Sequence, residues 1–274
     1  MVALYVHKLR SHRVLVLGGS SGIGFAVAEA ALEHGADVII SSSNAGKIDN
    51  ALQRLESHIQ TAELSPSKVC GKPCDLASMD TLEENIKNLL EFATQDGKLD
   101  HVVFTAGDSF IPPSLESVTV EDISKASMVR VTGAIILAKH LPRYINQSTR
   151  SSFTVTSSTT DWRPAGTGWS VLKGAAGGVE PMARALAVDL KPIRVNCVTP
   201  GFVRTELFDG FPKEALDSMI SSMERDSVLG NMGTASELAK AYIYLMKSTF
   251  ATGSTVVVDG GRMIGDSKRT GSDM

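Results

Sequence analysis

Within TGWSVLKG (167–174), Trp169 and Lys173 stand four residues apart, which on a helix places an indole and an ammonium on one face, a turn from each other. The indole N–H donates a hydrogen bond but does not titrate near neutral pH, so it cannot act as a general acid or base. It offers instead a flat π surface that can face a cation. Ser157 and Ser158 close the run SSFTVTSS, Asp161 follows in SSTTDWRPAG, and Arg130 stands in MVRVTG. A serine hydroxyl can orient a carbonyl. Asp161 can offset positive charge near a reacting centre, or can be a solvated turn aspartate held by local amides. Arg130 fits as a partner of Asp161, of Asp108 or of a substrate carbonyl.

A second constellation is built from backbone. GGSSGIG places glycines at 18, 22 and 24, between the β-branched and leucine run RVLVLGG (13–19) and the helical pattern IGFAVAEAALEHGA. A strand, a tight glycine turn and a free helix N-terminus are what a dinucleotide's diphosphate needs. The end of the next strand discriminates between dinucleotides. It reads Ser41-Ser42-Ser43-Asn44, with Lys47 one turn on. No carboxylate is there to repel a 2′-phosphate, and Ser42, Ser43, Asn44 and Lys47 supply donors for one, which favours NADP(H) over NAD.

The elements that must position these groups alternate along the chain. Strands are expected in RVLVLGG, ADVIISSS, SKVCGKPCDL, LDHVVFTAG, SSFTVTSS, IRVNCVTPG and STVVVDGG, with helices at GKIDNALQRLESHI and near 80–94, 120–141, 168–190 and 235–247. Seven strands interleaved with helices predict an α/β fold, a doubly wound parallel sheet in a single domain over 1–274. Residues 1–12 read as an N-terminal extension and 262–274 as a flexible tail. The segment 202–233 interrupts the alternation; its Phe202, Leu207, Phe208, Phe211, Met219, Met223 and Met232 suit a lid over an apolar substrate, or two helices that fill core.

These motifs, in this order, resemble the short-chain dehydrogenase/reductase superfamily: G-x-x-x-G-x-G at 18–24, Asp75-Leu76, Ala106-Gly107, Ser157-Ser158, Lys173, NCVTPG (196–201) with Val203 and Thr205, and VDGG (258–261). The resemblance covers almost the whole chain. It implies that Gly18, Ser20, Ser21, Gly22, Ile23 and Gly24 cradle the diphosphate, that Asp75 and Leu76 meet the adenine, and that Ala106 and Gly107 lie by the adenosine ribose. It also implies that Val203 and Thr205 meet the nicotinamide amide and the diphosphate, that Pro200 and Gly201 belong to the cofactor site beside them, and that Lys173 holds the nicotinamide ribose. In that superfamily a tyrosine four residues before the lysine handles the substrate proton and an asparagine anchors a water relay; here Trp169 and Arg130 hold those places. Ser158 takes the serine's part, with Ser157 one residue away. An Arg and a Trp at these places are similar to atypical fungal members that reduce an iminium in indole-alkaloid pathways and help a cycloaddition follow. AGTGW has Gly166 where those carry an aspartate.

Hydride transfer to an acceptor that is already cationic needs positioning and water exclusion, not a proton donor. The expectation is therefore an NADP(H)-dependent reductase acting on an imine, iminium or carbonyl of an apolar polycyclic metabolite, with Lys173, Trp169, Ser158, Arg130 and Asp161 at the reacting centre. Two alternatives stand beside it: a carbonyl reductase whose acid has moved to Asp161 or to a water on Lys173, and a cofactor-binding sensor without turnover. A net charge of -3 argues against a nucleic-acid partner. No apolar run reaches the roughly 18 residues of a membrane span. Cys70, Cys74 and Cys197 are too few and too scattered for a metal site, so none is expected, and a reduced, cytoplasmic setting fits them. Gly174, Gly177 and Gly178 allow close helix approach, which suits a homodimer or homotetramer.

Overall fold

In the computed structural model, the structure describes residues 9–62, 64, 67–107, 114–208 and 213–267. The first half runs β1 (Arg13–Leu17), α1 (Gly22–Glu33), β2 (Asp37–Ser42), α2 (Ala45–Thr61), β3 (Val69–Pro73), α3 (Leu82–Ala93), β4 (His101–Phe104), α4 (Val120–Ser127) and α5 (Ala134–His140). The second half runs β5 (Ser152–Thr156), α6 (Trp169–Ala176), α7 (Val179–Asp189), β6 (Arg194–Pro200), β7 (Val203–Arg204), α8 (Lys213–Arg225), β8 (Gly233–Thr234), α9 (Ala235–Lys247) and β9 (Thr255–Val258). Seven strands form one parallel sheet in the order β3-β2-β1-β4-β5-β6-β9, and β7 pairs with β8 beyond it. All seven expected strands are present, and the sheet order reverses between β1 and β4, which opens a crevice at the strands' C-terminal ends.

Alternation along each strand sorts the core into two layers. Leu15, Leu17, Val102 and Phe153 face α3, α5 and α7; Val14, Val16, Val38 and Ile40 face α1, α2 and α9. Burial on both faces explains why the inner strands β1, β2 and β4 read as nearly continuous apolar runs. α9 begins with Thr234 and Glu237 closing a capping box that satisfies two free N–H groups at the helix start.

Two expected helices are interrupted, each at a place that matters for the site. The stretch 120–141 is α4, then a π-helical turn over Met128–Gly133, then α5; Arg130 lies in that turn. The stretch 168–190 is α6 and α7, broken at Gly177 and Gly178. A Cβ at Gly177 would meet the Lys173 carbonyl oxygen at 2.5 Å, so the helix narrows where only glycine fits.

Both ends are more packed than the sequence suggests. Leu9 is fully buried and Ser11 donates its N–H to the Gly35 carbonyl, so residues 9–12 of the expected extension are held against the end of α1; residues 1–8 lie outside the described residues. The expectation of a tail from 262 needs correction at its start. Arg262 is 1% exposed. Its guanidinium pairs with Asp226 at 2.8 Å, donates to the Arg163 carbonyl and stacks over Phe202, because a buried cation must find a carboxylate and carbonyls to replace water. Residues 268–274 lie outside the described residues. In 202–233, Phe208 and Met223 are buried, and Phe202 and Phe208 both line the cleft described next. The Leu207 side chain and Phe211 are outside the description.

Candidate active site

The glycine turn joins β1 to α1 with Gly18 at φ +82° and Gly22 at φ +55°, the left-handed region that glycine enters without strain. Gly18 and Gly19 donate to the Ser41 carbonyl, which pins the turn to β2. A Cβ at Gly18 would meet the Ala106 nitrogen at 2.7 Å, and one at Gly24 would overlap the Gly18 carbonyl. The turn is thus fixed by backbone approach. Above it lies a cavity of about 1010 Å³, lined by Gly18, Ser20, Ser21, Gly22, Ile23, Gly24, Ser42, Ser43, Asn44, Lys47, Asp75, Leu76, Ala106, Gly107, Pro200, Gly201, Val203 and Thr205. Every expected cofactor residue except Lys173 is brought to this one space.

The cavity is chemically suited to a phosphorylated dinucleotide. Ser21, which caps α1, makes no side-chain hydrogen bond to the helix's first N–H groups, leaving donors for an anion. One of them, Gly22 N–H, donates to a carboxylate oxygen of Glu206 at 2.8 Å, so an anion already occupies part of the cradle. Asn44 accepts from Lys47 N–H at 2.9 Å and caps α2. Its side-chain NH₂ and the hydroxyls of Ser42 and Ser43 border the cavity. Arg54, two turns beyond Lys47 on the same face of α2, also lines it. That arginine was missed in the sequence, although the spacing of Lys47 and Arg54 carried the signal.

The reacting end is built from side chains. Asp161 stands in a 3-10 turn after β5 and joins two partners: Lys173 Nζ donates to its Oδ1 at 2.7 Å and Ser157 Oγ to its Oδ2 at 2.5 Å. The Lys173 ammonium lies 5.4 Å from the centre of the Trp169 ring, within cation–π range. Burial pushes the Lys173 pKa down; the hydrogen bond and charge of Asp161 oppose this, while Arg130 and Arg262 add to it. Ser158 is turned to a different task. Its oxygen accepts from Thr160 N–H and meets the Thr160 hydroxyl at 2.7 Å, capping the turn that carries Asp161. Of the two serines it is Ser157 that reaches the Asp161–Lys173 pair.

A smaller pocket beside the large cavity is lined by Arg130, Ser157, Ser158, Asp161, Trp169 and Lys173. Arg130, Ser157 and Ser158 border both spaces, so the five expected reacting residues converge where the two meet. Lys173 lines only the smaller one. The Arg130 guanidinium packs over Gly107, where a Cβ would collide with it. Asp108, another expected partner of Arg130, lies outside the described residues. The network of Arg262, Arg163 and Asp226 was not visible in the sequence; through Thr159 and the Arg163 carbonyl it fixes both ends of the Asp161 turn. Among the described residues no group of three or more His, Cys, Asp or Glu could hold a metal. Burial raises the Cys74 and Cys197 thiols to about 12, which leaves them unreactive.

The SDR-like Rossmann domain family matches residues 5–264. The chain belongs to the short-chain dehydrogenase/reductase family. Among its relatives is the short-chain dehydrogenase/reductase ucsE of Acremonium sp, 40% identical over 259 residues, which are 94% of this chain and 97% of the relative. The solved structure of the MalC reductase/Diels-Alderase from Malbranchea aurantiaca superposes with a TM-score of 0.89 at 39% identity, covering 94% of this chain and 98% of MalC. A short-chain dehydrogenase from Burkholderia cenocepacia J2315, solved in complex with NADP, is similar at 25% identity and a TM-score of 0.78, covering 93% and 99%. As a short-chain dehydrogenase/reductase, the chain has an oxidoreductase's fold and a small-molecule cleft, and among its described residues no helix is long and apolar enough to cross a membrane.

Proposed function

We propose that this chain is an NADP(H)-dependent reductase of secondary metabolism, delivering hydride to an imine, iminium or carbonyl carbon of an apolar polycyclic metabolite. The observation that carries the reading is the junction of the two spaces: a dinucleotide-sized cavity with no carboxylate at the end of β2, meeting a pocket walled by Trp169, Arg130 and the Lys173–Asp161–Ser157 chain. NADPH, when bound, supplies hydride from C4 of its nicotinamide. The glycine turn and α1 N-terminus hold its diphosphate, and Ser42, Ser43, Asn44 and Lys47 meet the 2′-phosphate. The NADP complex of the Burkholderia relative supports this choice of cofactor.

Trp169 presents a π face to a cationic acceptor, and the acceptor's charge is neutralised by hydride addition itself. Arg130, at the mouth between the two spaces, orients polar groups of the substrate. The 39% identity to MalC, a reductase/Diels-Alderase, supports placing a cyclisation of the reduced product in the same proposal. A second reading has its own observation. A carbonyl acceptor needs a proton as well as hydride, and Lys173, Asp161 and Ser157 form an unbroken hydrogen-bonded path that could deliver one. A homodimer or homotetramer belongs to the proposal too, since Gly174 and Gly178 of the α6–α7 face have nothing packed within 4 Å of a Cβ position.

The test is single turnover with NADPH deuterated at C4 against apolar cyclic iminium ions and matching ketones. Label arriving on the C=N carbon, at a rate unchanged in D₂O, is expected. Transfer only to ketones, slowed in D₂O, selects the proton-relay reading. Tight NADPH binding with no label transfer to either class overturns both and leaves a sensor.

A further inference from the structure

The cleft contains an anion of its own. Glu206, in the 3-10 turn after β7, reaches back across the cavity and accepts the Gly22 N–H at 2.8 Å, while its other oxygen faces Arg54 at 3.8 Å. Arg54 is held for this position: its guanidinium lies 3.8 Å above the Phe25 ring, one turn along α1 from Gly22. A helix N-terminal N–H and a seated guanidinium together form a cradle for a dianionic group. A single carboxylate fills it poorly. Glu29, one further turn along α1, adds a second negative charge; burial raises its pKa, His58 and Arg54 lower it, and Glu33 and then Glu206 raise it. Glu206 is thus attracted by two groups, repelled by a third, and still 44% exposed.

The geometry points to Glu206 as an internal competitor for the cofactor's diphosphate, and to Arg54 as a diphosphate ligand freed when Glu206 is displaced. This rests on the NADP(H) reading and adds to it a regulation of the same cleft. Entry of the dinucleotide must move Glu206, and with it the short 3-10 turn of Glu206–Phe208 that carries it. The chain then exchanges a weak internal anion for a stronger external one, which lowers apparent affinity for any ligand bearing a diphosphate and spares ligands that lack it.

The experiment is calorimetric titration of the full chain, as wild type and as Glu206→Gln, Glu206→Ala and Arg54→Ala, with NADPH and with adenosine 2′-monophosphate, which carries the adenine, ribose and 2′-phosphate but no diphosphate. Removing the Glu206 charge should tighten NADPH by about fivefold, the size of a part-exposed charge contact, and leave adenosine 2′-monophosphate unchanged; Arg54→Ala should weaken NADPH alone. Three outcomes overturn the proposal: weaker NADPH binding in Glu206→Gln, which would make Glu206 a support of the turn; equal tightening of both ligands, which would make it a diffuse charge effect; or no change in either. Wild type that binds neither ligand would instead defeat the cofactor reading itself, and Glu206→Gln, being exposed and isosteric, keeps folding out of the comparison.

Discussion

The two ends of the cleft are made of different material. At the dinucleotide end, position is set by backbone: Gly18 at φ +82°, Gly24 against the Gly18 carbonyl, Gly201 against Asp259. At the reacting end, position is set by side chains that hold one another, Lys173 to Asp161 to Ser157, with Arg130 laid over Gly107. Even the supporting elements differ. α1 is a continuous helix of twelve residues, whereas Arg130 rides a π-helical turn and α6 stops at Gly177, and such irregular turns cluster at functional sites. A backbone cradle admits little variation, because a Cβ at Gly18, Gly24 or Gly201 collides with main chain that cannot yield. A side-chain network can exchange members one at a time, and a tryptophan can replace a proton donor while the fold and cradle persist.

That contrast is sharpest under Gly24→Ala. The new Cβ overlaps a carbonyl of the turn, an overpacked contact of about 3 kcal/mol that is present with or without ligand, so the thermal midpoint is expected to fall, and relief by shifting the turn is expected to weaken NADPH binding by up to roughly a hundredfold by calorimetry. Unaltered affinity would break the comparison at its stronger side. Lys173→Ala should act on the other side. It strands Asp161, 9% exposed, with only Ser157, so turnover is expected to fall about thirtyfold with a loss of about 2 kcal/mol in stability, while NADPH affinity moves less than about threefold.

A smaller effect is expected from Trp169→Tyr. The smaller ring leaves a gap where the indole met the substrate, raising KM about fivefold with no gain in kcat. Faster turnover of the native substrate would identify an impaired carbonyl reductase and remove the iminium reading. The mildest change is in pH dependence. Because burial lowers the Lys173 pKa, its ammonium is lost at a lower pH than that of an ordinary lysine, so kcat should decline on the alkaline side before 10.5. A rate profile flat to 10.5 would take Lys173 out of the reacting centre.

The legibility of the two ends follows the same division. Backbone geometry is written in glycine, so 18, 22 and 24, the seven strands and most of the lining of the large cavity could be read in order from the chain. Asp161 was legible as a candidate from its place after β5, but not its partners. Ser157 and Ser158 could not be told apart by spacing, since the 3-10 turn that rotates one toward Asp161 and the other into a cap is a local fold of two residues. Arg54 stands two turns beyond Lys47, so only the helical spacing of α2 gives it away. Arg262 carries no local signal of its burial, because the nearby GDSKRTGSDM (265–274) is polar and suits a tail.

What the sequence determined by itself is periodic or conformational: the alternation that builds a doubly wound sheet, the glycines that only one turn can use, and the absence of a carboxylate at the end of β2. Each is a property of a residue and its immediate neighbours, so it survives without knowledge of what lies across the molecule. Tertiary structure alone decided the charge pairings: Asp161 with Lys173, Glu206 with Gly22 and Arg54, Arg262 with Asp226. These partners are up to 184 residues apart. A buried or half-buried charge takes whichever counter-charge the fold brings within about 4 Å, because the interaction falls off with distance and with solvent, and no local pattern encodes which one that will be.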